Sequence, residues 1–95
     1  MNQSSLNRLE DVKREWSRAL LDQMRAEVAW RQCRVVIYCA AEASGMPARK
    51  MLSEQPIRAE LLRLRKRQML VSRAEVRALT RLMLAHTKKQ LEAVK

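Results

Sequence analysis

The lone histidine, His86, and the two cysteines, Cys33 and Cys39, are the side chains of this 95-residue chain best suited to metal ligation or nucleophilic attack. Their spacing argues against both. Six residues along a helix give about 9 Å of rise and a rotation that points Cys33 and Cys39 to different faces, so they cannot bridge each other. With the distant His86 they form no spaced zinc motif. One glycine, Gly45, is too few for a glycine-rich phosphate loop, and the serines have no second histidine or paired acid to activate them. Neither catalysis nor a cofactor nor a metal is expected. The thiols read as reduced, buried, small apolar groups, and His86 as a packed or partly exposed structural residue.

Charge offers a different chemistry. Up to residue 46 the chain holds seven Lys or Arg and six acids, a net of +1; from 47 to 95 it holds thirteen against four, a net of +9. At 100° per residue, Arg63, Lys66, Arg73, Arg77, Arg81 and Lys88 fall within a sector of about 80°. A basic stripe of this kind suits successive phosphates or an acidic groove, and few acids stand within one turn to neutralise it. Arg49 and Lys50 add two further cations ahead of it. The alternative is a solvated helix face.

The elements that must position this stripe are helices. One Gly, two Pro, no Phe and an abundance of Ala, Leu, Arg, Glu, Lys and Met define an all-α chain. The longest apolar run, Val35 to Ala41, is seven residues, far below the roughly 20 that span a bilayer. The first residues, Met1-Asn2-Gln3-Ser4-Ser5, lack the order of a signal peptide, so a soluble, cytoplasmic protein is expected.

The first arm, about residues 5–44, is expected to start at a Ser4 or Ser5 cap. It carries a heptad seam of Leu9, Val12, Trp16, Ala19, Gln23, Ala26, Trp30, Cys33, Ile37 and Ala40. Leu20, Met24, Val28 and Val35 widen that apolar face, and Val35 to Ala41 is expected to be the most deeply buried stretch. Trp16, Trp30 and Tyr38 read as packing groups rather than as base-stacking platforms.

Ser44-Gly45-Met46-Pro47 ends this arm, and a turn with a short helix is expected over residues 45–55. The second arm, about 56–94, carries two apolar rows. Ile57, Leu61, Leu64, Gln68, Val71, Ala78, Leu82 and Ala85, interrupted by Glu75, read as the inner seam, with Leu62, Met69, Val76 and Met83 beside it. One antiparallel arm cannot cover both rows, which predicts a dimeric helical bundle or a helical protein partner. Ser72-Arg73-Ala74-Glu75 matches a capping box, leaving open whether this arm restarts there or runs on.

Two resemblances attach to these residues. Ala41-x-x-x-Gly45 with Pro47 is similar to the helix-turn-helix pattern, and the segment from Pro56 through Leu64 to Ser72 resembles the DNA-binding part of phage small terminases. That resemblance implies DNA contact through Arg49 and Lys50 at the start of a recognition helix; the chain departs from it in a very short second helix and a very long first one. Residues 72–81 resemble a stretch of the coiled-coil stalk proteins of type III secretion, which implies a helical hairpin attending an export ATPase.

The expectation is therefore a single α-helical domain, a long antiparallel hairpin with a short helix at its turn, working as a non-enzymatic binding or assembly module. Nucleic-acid binding by the basic face of the second arm leads. The alternative is an adaptor or chaperone-like module that docks a protein through its apolar rows, with Leu9, Trp16, Trp30, Ile37, Leu62, Met69, Val76 and Met83 as core or interface. Membrane-surface binding ranks third, and no small-molecule substrate is expected.

Overall fold

Gly45 has the only positive φ among the described residues, 64°, and the chain reverses there. The amide of Met46 donates to the carbonyl of Ala41 at 3.0 Å and that of Gly45 to Glu42 at 3.1 Å, the paired bonds of a Schellman motif. A residue with a Cβ is strained at this φ, which is why the single glycine of the chain falls here.

The computed structural model describes residues 3–94, with side chains from residue 7 onwards. Helix α1 spans Gln3–Ala43, α2 spans Ala48–Glu54 and α3 spans Pro56–Val94. The fold is an all-α antiparallel helical hairpin with a short helix at its turn, and no strand occurs among the described residues. Pro47, extended at φ −61° and ψ 143°, leads into α2. Gln55 leaves the helical region before Pro56, as a residue preceding proline tends to, and Pro56 opens α3 where a missing N–H costs nothing. Ser4 and Ser5 lie inside α1 rather than capping it, because helical backbone already begins at Gln3. Ser72 does not break the second arm either: the apolar and long-chain residues on both sides of it keep α3 helical through the capping-box match.

The chain divides into two compact units, one of Met1–Gln23 with Ser72–Lys95 and one of Met24–Val71. In the first, the end unit, Leu9, Val12 and Ala19 are buried, while Trp16, Val76 and Met83 are half-buried. The indole Nε1 of Trp16 donates to Thr80 Oγ1 at 2.9 Å, and that hydroxyl donates to the carbonyl of Val76 at 2.7 Å. Both polar groups are thereby satisfied in a part-buried setting. Thr80→Val is expected to lower stability by about 1–2 kcal/mol, since the indole N–H loses its acceptor, and Thr80→Ser to retain most of it. Urea unfolding of the two variants beside the parent chain checks this.

In the second, the turn unit, Ile37, Ala41, Met51 and Met69 are buried, with Trp30, Cys33, Leu52 and Leu62 half-buried. Two expectations change. Within Val35 to Ala41 only Ile37 and Ala41 are buried; Val35, Val36, Tyr38 and Cys39 are exposed, because a helix packed on one side buries a stripe and not its circumference. Cys39 is accordingly an exposed free thiol and Cys33 a half-buried one.

The two rows of α3 also exchange roles. Leu62, Met69, Val76 and Met83 turn inward, whereas Ile57, Leu61, Leu64, Val71 and Leu82 are exposed. The reason is polarity. The first row is uninterrupted, while the second contains Gln68 and Glu75, whose burial without partners is costly.

Candidate functional site

Two kinds of surface stand out, one basic and one apolar. In the end unit Arg77, Arg81 and Lys88 are exposed, while Arg73 is half-buried and already interacts within the fold. In the turn unit Arg63 and Lys66 are exposed, and Arg63 is engaged by Glu60 with Nη2 to Oε2 at 2.9 Å. The expected stripe is thus divided: four of its members belong to the end unit and two to the turn unit. Arg49 and Lys50 are exposed on the first turn of α2, which is only seven residues long.

Cationic excess is strongest in the turn unit. Residues 24–71 carry ten Lys or Arg against Glu27, Glu42, Glu54 and Glu60, a net of +6. Arg63, Lys66, Arg67, Leu70 and Val71 line an open depression on α3.

The apolar surface is the outward row of α3. In the turn unit it comprises Ile57, 85% exposed, Leu61, Leu64 and Val71, 61% exposed; in the end unit it comprises Ala78, Leu82 and Ala85. Leu61 also borders a groove of about 380 Å³ whose other walls are Ala29, Gln32, Cys33, Val36 and Ile37, with Arg58 and Arg65 on the α3 side. Arg65 donates to Gln68 Oε1 at 3.3 Å. Met24, Val28 and Val35 of α1 are exposed as well, while Leu20, read with them as part of one widened face, is half-buried.

A smaller pocket, about 150 Å³, lies where the three helices of the turn unit meet. Trp30, Arg34, Ile37 and Tyr38 line it from α1, Ala48 and Leu52 from α2, and Leu62 and Lys66 from α3. The Arg34 guanidinium carbon sits 4.6 Å from the Trp30 ring centre and 5.9 Å from that of Tyr38. Successive i, i+4 spacing of Trp30, Arg34 and Tyr38 places the three on one helix face, and the ring faces attract the cation. The Trp30 Nε1 is buried and has no hydrogen-bond partner among the described residues.

Sequence reasoning took both tryptophans as packing groups and missed this stack. The available signal was the fourfold spacing of an arginine between two aromatic residues. Tyr38, expected in the deepest part of the molecule, is exposed instead.

Among the described residues no group of three or more His, Cys, Asp or Glu side chains could hold a metal ion, and no helix is long and apolar enough to cross a membrane. Comparisons with known protein families, with curated proteins and with solved structures return no match.

Proposed function

We propose that this chain is a non-enzymatic docking module that holds a second protein along the outward apolar row of α3 in the turn unit. The supporting observation is the exposure of Ile57, Leu61, Leu64 and Val71 on a helix whose other apolar row already supplies the core. Apolar side chains repeated at three- and four-residue spacing form the half-site of a helix-to-helix interface, and water is an unfavourable permanent neighbour for them. The net charge of +10 opposes the approach of a second copy, so a partner of acidic character fits better than self-association.

The double variant Ile57→Asp, Val71→Asp should keep the helical circular dichroism of the parent and melt close to it, since these positions of the row are 85% and 61% exposed. It should lose a protein that the tagged parent chain retains and that binds the parent directly once both are purified. A partner that binds the double variant as tightly as the parent defeats the proposal. So does a parent chain whose measured mass and binding assays reveal no associated protein.

A second reading rests on a separate observation: Arg77, Arg81 and Lys88 are exposed and take part in no ion pair among the described residues. Under it the basic face of α3 contacts the backbone of a nucleic acid. Retardation of DNA or RNA at low salt, falling steeply as salt rises and weakened by Arg77→Ala and Arg81→Ala, supports that reading; no retardation at low salt removes it.

A further inference from the structure

The pocket at the junction of the three helices gathers cations without an acid to balance them. Arg34 lines it from α1 and Lys66 from α3; among the described residues neither takes part in an ion pair, and no Asp or Glu lines the cavity. Two like charges facing one small space repel, and a shared anion relieves that repulsion. Arg34 is also held ready. Its guanidinium carbon lies 4.6 Å from the Trp30 ring centre and 5.9 Å from that of Tyr38, and the attraction of the ring faces favours this placement of the side chain. Around these groups the wall is hydrocarbon, chiefly Leu52 and Leu62.

We propose that this pocket binds a carboxylate carried on a small apolar group, with Arg34 and Lys66 sharing the two carboxylate oxygens and the leucine and aromatic side chains enclosing the hydrocarbon. A carboxylate fits better than a phosphate, whose third oxygen and second charge would be left against apolar walls. A volume of about 150 Å³ admits a group the size of a benzene ring. Such a carboxylate is supplied either by a free organic acid or by the chain end of a protein with an apolar last residue. The proposal does not rest on docking along the outward row of α3.

Proton–nitrogen correlation spectra of the full chain test it through the indole resonances of Trp30 and Trp16, assigned with Trp16→Phe. Benzoate stands for the free acid and N-acetylleucine for the chain end, with benzamide and N-acetylleucinamide as uncharged counterparts. The carboxylates should shift the Trp30 resonance saturably and leave that of Trp16 in place, while the amides do neither. Arg34→Gln and Lys66→Gln should each weaken the carboxylate by about tenfold or more, and Arg77→Gln should bind as the parent does. The tighter of the two carboxylates identifies the source. If Arg34→Gln loses its helical circular dichroism, Lys66→Gln decides alone. Equal shifts from amides and carboxylates, no shift up to the solubility limit, or equal weakening by Arg77→Gln each overturn the proposal.

Discussion

Ile37→Asp is expected to remove the cooperative thermal transition of this chain, leaving a gradual loss of helical circular dichroism on heating. Ile37 is 4% exposed and contributes to the walls of both the groove and the three-helix pocket of the turn unit. A carboxylate placed there forfeits roughly 2–3 kcal/mol of apolar burial and adds the desolvation of a charge with no partner. A small domain commands only about 5–15 kcal/mol in total, and one of this length stands at the lower end. Val36→Asp is the control. Its site is exposed on the same helix one residue away, and that variant should melt within a few degrees of the parent. Should Ile37→Asp melt cooperatively near the parental temperature, the turn unit does not pack as described.

Met69→Ala and Val71→Ala form the second test, because they separate the two rows of α3. Met69 is 3% exposed, and deleting its side chain leaves a cavity where the core of the turn unit closes, costing about 2–4 kcal/mol. For a domain of this size that corresponds to a fall in melting temperature on the order of 10–20 °C. Val71 is exposed, and its truncation should cost less than about 1 kcal/mol. The reverse order of effects would restore the row of Ile57, Leu61 and Leu64 as the packed face. Differential scanning calorimetry of both variants gives the answer.

Much of the architecture was legible before any coordinates. Gly45, Pro47 and Pro56 mark the end of α1 and the starts of α2 and α3 within a residue or two, because each imposes or forbids a particular backbone conformation. The inward face of α1 was legible for the same kind of reason: Leu9, Val12, Trp16, Ala19 and Ile37 recur at the spacing that one neighbouring helix selects. The choice between the rows of α3 was not legible from periodicity alone, because two periodic patterns compete there. Gln68 and Glu75 in the longer row carried the discriminating information, since a single antiparallel neighbour takes the row that asks it to desolvate least.

The pocket was less accessible to sequence reasoning. Trp30, Arg34 and Tyr38 are local to one helix, and their spacing announces the stack. Lys66 reaches the same cavity only through the antiparallel register of α1 and α3, a long-range consequence of the turn that periodicity along either helix does not encode. The groove beside Leu61 has the same origin.

The outward row of α3 has a calorimetric consequence. Heat-capacity change on unfolding follows the apolar surface newly wetted, and the side chains from Ile57 to Leu82 on this row are already wet in the folded chain. The increment should fall below the usual value of about 1.2–1.5 kcal/mol/K per hundred residues, giving a stability curve that is shallow across temperature. The missing heat capacity reappears elsewhere: covering the row by a partner should be accompanied by a negative change on binding, whatever the sign of the binding enthalpy.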